Sequence, residues 1–356
     1  MKAFGFLSFG HYALPGQKGP DARAVLRQAL ELAKFADQLG VNGAYFRVHH
    51  FAAQGAAPMP LLGAIAGSTE HIEVGTGVID MRYENPLQLA EEAAALDLLS
   101  GGRLALGVSR GSPEPAAQGW KAFGYWSEAA NGADMARSKF ERLLAAVEGQ
   151  GMATAASLDE QYPRIYQPGT LLPVFPHSPE LRKRIWWGAG SRKTAEQAAR
   201  DGVNLMSSTL VTEADGRSLA ELQADQIARY RAAWKQAGHD WTPRVSVSRS
   251  IFPLVTARDR QLFGLQATSS DEVGYLDDGD ATFGRSYAAE PDLLIEQLKA
   301  DPAVQAADTL MLTVPNTLGV EANLAILRNF ADYVAPALGW IPATSGPVKG
   351  YPIKDG

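Results

Sequence analysis

A (β/α)₈ barrel with insertions is the fold that the sequence predicts, on three observations. Strand-like and helix-like segments alternate along the chain, eight strands can be counted, and 356 residues suit one large α/β barrel better than one small core. The competing doubly wound sheet would place a complete G-x-G-x-x-G near the start. The nearest candidate, GAGSRK at 188–193, has only the first two glycines and sits mid-chain.

AFGFLSF (3–9) reads as the first strand, ending at Gly10. Val25, Ala29, Leu30, Ala33, Ala36 and Leu39 then recur at helical spacing, with Asp21 as N-cap and Gly40 as stop. GAYFRV (43–48) is the second strand, 58–69 a short helix, and HIEVGTGVI (71–79) the third strand. Asn85 caps the next helix, Pro86 takes its first position and Gly101 follows its end. RLALGVS (103–109) is the fourth strand. Residues 151–183, rich in Pro and Gly, read as an excursion. RIWWGAG (184–190) is the fifth strand, entering a helix from Ser191 to Arg200. VNLMSS is the sixth strand, followed by a helix near 214–237, and RVSVSRSIFPLV (244–255) alternates as the seventh. A second excursion, about 258–288, precedes a helix at 291–299, the eighth strand DTLMLTV (308–314) and a last helix at 320–335. The expectation is one domain over 1–356, with insertions after strands four and seven and a C-terminal tail, 336–356.

Composition narrows the function. Net charge is −6 with no basic block, which argues against nucleic acid or an anionic membrane as partner. No cysteine is present, so disulfides, thiolate catalysis and Cys-ligated metal centres are excluded. Neither a signal peptide nor an 18-residue apolar span is visible, and a cytoplasmic protein is expected.

Catalytic groups of a barrel gather at the C-terminal ends of its strands. There the chain places GHY (10–12), HHF (49–51), SRGS (109–112) and GAGSRK. Three of the six histidines, His11, His49 and His50, thus fall at the mouths of the first two strands. A metal site is disfavoured, because His49 and His50 are adjacent rather than H-x-H and no carboxylate is evident at a matching strand end. SRGS, with its arginine fork, and GAGSRKT, with free N–H groups at a helix start, together suggest one phosphate held between two loops. Gly75 and Gly77 interrupt a β run; a flat ligand laid against the strand or a bulge in the wall would each explain them.

RVHHF, the run from Ile72 to Ser112 and WWGAGSRKTAEQAARDG together resemble the bacterial luciferase-like flavin-dependent monooxygenase superfamily. The resemblance implies the same barrel, with reduced FMN or the deazaflavin F420 as cofactor. His49 matches a histidine that assists proton transfer around a C4a-peroxyflavin, and His50 its pocket neighbour. Gly77 and Val78 match the place of a non-prolyl cis peptide under the flavin. Arg110, Ser112 and Arg137 match phosphate-site residues, as do Gly190, Ser191 and Thr194. Bacterial luciferase has glutamate, cysteine and tryptophan where this chain has Val48, Ser109 and Thr209, so its aldehyde pocket is not preserved. Asp97 and Arg103 are read as a structural ion pair.

The function expected is a two-component, reduced-FMN-dependent monooxygenase acting on a small organic substrate and oxygen, with a separate flavin reductase. The resemblance also implies a homodimer. Two alternatives are F420-dependent hydride transfer on the same fold and a flavin-binding protein without turnover. The roles of His11 and of the aromatic segment from Trp120 to Trp126, as lid, core or dimer contact, stay open.

Overall fold

The computed structural model describes residues 3–276 and 279–344. The barrel strands are β1 (Ala3–Ser8), β2 (Gly43–Phe46), β3 (Glu73–Thr76), β4 (Leu104–Ser109), β5 (Ile185–Gly188), β6 (Asn204–Ser207), β7 (Val245–Pro253) and β8 (Thr309–Val314). All neighbours are parallel. The chain order is the spatial order, and β8 returns to β1 through pairs such as Ala3 with Thr309. Every barrel strand therefore has two partners, and the closed eight-stranded barrel is the fold predicted.

The helices are α1 (Ala22–Leu39), α2 (Pro58–Ala66), α3 (Pro86–Leu99), α4 (Ala133–Val147), α5 (Arg192–Arg200), α6 (Leu219–Ala237), α7 (Ala257–Phe263), α8 (Pro291–Ala300), α9 (Pro302–Ala306) and α10 (Val320–Tyr333). Their boundaries follow local chemistry. The Asp21 side chain accepts from the Ala24 N–H, Gly40 ends α1 in the left-handed region, and Asn85 caps α3. The outward faces of the strands and the inward faces of the helices form one continuous apolar layer.

Inside the barrel, Leu7, Tyr45, Ala105, Trp186, Met206 and Met311 pack as a buried floor. The Tyr45 hydroxyl donates to Glu73 Oε1 at 2.6 Å, and Arg244 forks onto both Glu73 oxygens at 2.7 and 3.0 Å while lying over the Trp186 ring. Of the two explanations left open for Gly75, this floor removes the need for a ligand there. A Cβ there would come within 2.8 Å of the Tyr45 ring, so the group against that strand is the protein's own tyrosine.

Other expectations also change. Arg103 does not pair with Asp97: its guanidinium donates to the Ala66, Thr69, Ile72 and Ser100 carbonyls, whereas Asp97 accepts from Ser178 and Arg184. Sequence proximity across a turn proved a poor guide, because a guanidinium with several donors can satisfy converging carbonyls instead. The excursion at 258–288 holds α7 and an antiparallel hairpin, Glu272–Leu276 with Gly279–Phe283, which pairs with Leu210–Val211. These strands are too short for alternation to announce them. The tail is pinned as far as it is described: Trp340 packs on Phe4 and donates to Asn42, and the Ala343 N–H bonds the Gly40 carbonyl. The rest of the 336–356 tail lies outside the described residues.

Candidate active site

Strand alternation decides which groups share the lumen. Leu7 and Tyr45 belong to the floor and Phe9 packs against it, while Phe46 and Val48 join the outer core. The same alternation sends Arg47 and His49 to the lumen side above Tyr45, and Arg47 lies over the Phe9 ring at 4.9 Å. His11 stacks on the same Phe9 ring, 5.9 Å between centroids and nearly parallel. Burial lowers the His11 pKa, with Arg47 and then His49 adding to the effect.

His50 turns elsewhere. It stacks on Tyr83 at 4.2 Å and meets the edge of Phe123 at 5.2 Å. The next residue, Phe51, takes the left-handed region at φ 55°, uncommon for a bulky side chain, and swings the chain away. Burial lowers the His50 pKa, opposed by the fields of Glu114 and Asp80. Its Nε2 is buried with no bonding partner, as are the Tyr83 hydroxyl and the Trp120 indole N–H. Of the aromatic segment, Trp120 is core, Phe123 covers His50, and Trp126 is exposed.

Sequence reasoning missed a carboxylate. Glu114, in the loop after β4, places Oε2 3.0 Å from His49 Nδ1, with both side chains buried. The approach is too far out of line to form a hydrogen bond, so Oε2 lacks a donor. The flanking prolines in SPEP were the available signal for a stiff, extended loop. The loop is also clamped from below. Arg82 forks onto Asp80, donates to the Ser112 carbonyl at 2.7 Å, and stacks on Trp120. Gly111 adopts φ +87°, where a Cβ would fall 2.0 Å from the Asp80 carboxylate, so the SRGS turn requires glycine at this point.

The remaining candidates are distributed unevenly. The Gly77–Val78 peptide bond is cis. Gly77, Gly107, Ser109 and Gly188 occupy lumen-side positions of β3 to β5 by alternation, leaving no side chain longer than serine at those positions. A planar cofactor fits that wall. Ser191 and Thr194 form a capping box at the start of α5, but its N–H groups are less free than expected: Glu213 accepts from the Arg192 N–H at 3.1 Å and pairs with its guanidinium. Gly190 precedes the cap and its carbonyl receives the Thr212 N–H. Arg137 is not brought to this cradle. It forks onto Asp201, past the far end of α5, and pairs with Glu141. A cavity of about 860 Å³ lies behind β7, where Arg249 is committed to Asp301 and Gln223. Its charges are paired internally, and the groups able to move protons are at the barrel mouth.

A family model described as luciferase-like monooxygenase matches residues 1–262. The chain belongs to the luciferase-like monooxygenase family. Within it, 109 residues are 38% identical to 4-hydroxyprotoasukamycin monooxygenase of Streptomyces nodosus subsp. asukaensis, a match spanning 30% of this chain and 29% of the relative. The FMN complex of the oxygenating constituent of 3,6-diketocamphane monooxygenase from Pseudomonas putida superimposes with TM-score 0.69 at 16% identity, over 97% of this chain and 100% of that one. The F420-dependent tetrahydromethanopterin reductase of Methanopyrus kandleri gives TM-score 0.61 at 15% identity, over 95% and 99%. The luciferase-like barrel is thus shared by proteins described with FMN and with F420. Among the described residues, no helix is long and apolar enough to cross a membrane.

Proposed function

We propose that this luciferase-like chain is the oxygenase of a two-component system, using reduced FMN from a separate flavin reductase to insert oxygen into a small organic substrate. The observation that carries the reading is the His49–Glu114 contact, on the lumen side above a closed floor and beside the small-residue wall. Reduced FMN supplies the electrons that activate oxygen. Gly77 and Val78 would lie against its ring system, and Arg110, Ser112, Gly190, Ser191 and Thr194 would hold its phosphate. His49 would hold or pass a proton at its Nε2, with the Glu114 carboxylate lying 3.0 Å from Nδ1 as a charge beside the ring. His50 shapes the pocket through Tyr83 and Phe123, and that cluster excludes water. A cytoplasmic homodimer is part of the same proposal.

An anaerobic titration with FMN, reduced FMN and F420 tests it. Preferential binding of reduced FMN, followed by oxygen uptake, is the expected result; binding of F420 alone would move the protein to hydride transfer. Glu114→Gln is expected to lower turnover about tenfold or more with KM little changed, since it removes the charge beside the proton-transferring imidazole. Steady-state kinetics check this. Glu213→Gln removes a carboxylate from the α5 N-terminus, so FMN is expected to bind about three- to tenfold tighter and riboflavin unchanged. Fluorescence titration of both ligands reads the difference.

A further inference from the structure

The arginines around the proposed flavin site are mostly engaged. Arg82 is bonded to Asp80, Ser112 and Asn131, Arg192 to Glu213 and Asp225, and Arg137 to Asp201 and Glu141. Arg47 differs. Its guanidinium makes no hydrogen bond or ion pair with any described residue, and its one close partner is the face of Phe9. Its backbone is fixed, since its N–H bonds the Ser8 carbonyl. Burial works against its charge, and the field of Glu114 only opposes that in part. Glu114 itself is directed at His49. A half-buried guanidinium whose donors meet no described acceptor is costly even with the Glu114 charge nearby, which makes it a site waiting for a direct partner.

The geometry points to Arg47 as the anchor for a carboxylate on the substrate. This rests on the monooxygenase reading and names its substrate class: a small organic acid. Two features favour carboxylate over other polar groups. A guanidinium binds two coplanar oxygens through parallel N–H donors, and the arrangement is strongest for an anion. The group beside it is apolar and aromatic, Phe9 with His11 stacked at the rim, so the body of the acid would rest against rings while its charge meets Arg47. Arg47 and His49 lie on the same side of one extended segment, two residues apart and so about 7 Å along it. An anchored acid would therefore present a carbon near the anchor to the imidazole, which restricts oxygenation to positions close to the carboxylate. The flavin phosphate is the other anion that could claim this arginine.

Calorimetry with benzoate and its neutral isostere benzamide separates these cases, in wild type, Arg47→Met and Arg47→Lys, alongside titrations of FMN and riboflavin. Wild type is expected to bind benzoate at least about tenfold more tightly than benzamide, as a charge-assisted fork requires. Arg47→Met should lose that preference, and Arg47→Lys should keep part of it, with the FMN-to-riboflavin ratio unchanged in both. Equal binding of benzoate and benzamide, or no benzoate binding, would overturn the assignment. So would loss of FMN but not riboflavin affinity in Arg47→Met, which would make Arg47 the phosphate anchor. Should no variant bind flavin while the benzoate preference persists, the anion site stands and the oxygenase reading falls. Thermal melts of Arg47→Met and Arg47→Lys confirm that each variant is folded.

Discussion

His49→Ala is expected to lower oxygenation turnover by about 10²- to 10⁴-fold, the usual worth of a positioned proton-transfer group, while FMN affinity stays nearly the same. The argument is geometric. His49 stands on the lumen side of the segment after β2, buried, with Glu114 at 3.0 Å from Nδ1, and so has its other ring nitrogen available to a reacting group. His50 is one residue away, yet it lies between Tyr83 and Phe123. Its replacement by Ala should instead reduce stability and loosen the pocket. Stopped-flow turnover and peroxide release, measured for both variants with a supplied flavin reductase, check the contrast. Equal losses in the two would show that the pair acts as one packing unit and would remove the proton-transfer role from His49.

The second large effect concerns the barrel floor. Arg244→Met is expected to cost about 3–5 kcal/mol, because it leaves the Glu73 carboxylate buried without its cation. Glu73 and Arg244 are both nearly inaccessible, and the pair is supported by Tyr45 and Trp186. The double variant, Glu73→Leu with Arg244→Met, should recover most of the loss, since an apolar pair of similar volume avoids the desolvation of both charges. Urea unfolding of the two variants and wild type reads the comparison. A fully additive result would show that the ion pair contributes nothing and that the loss comes from packing alone.

What could be read from the sequence was whatever local chemistry determines. Helix ends were legible at Asp21, Gly40 and Asn85 because a cap is written within a few residues. The barrel was legible because the change of period between strand and helix repeats around it. Gly77–Val78 came from resemblance, since nothing in two small residues announces a cis bond. Three features could not be read at all. Glu114 meets His49 across 65 positions of chain, the Glu73–Arg244 pair spans 171, and Glu213 reaches the α5 cap from 21 residues away. Contacts at such separations are set by the closed ring and leave no periodic trace. The open question at Gly75 has the same origin: the glycine was noticed, but the tyrosine that fills its space stands on the neighbouring strand.

The floor built around Tyr45 also sets the traffic of the barrel. Because Leu7, Tyr45, Trp186, Met206 and Met311 fill the lumen beneath His49, the well is closed at that end. Molecules that enter and leave at the ends of the strands share one mouth, so a bulky product still there blocks the next arrival. Product inhibition competitive with whichever molecule enters first would be the kinetic signature.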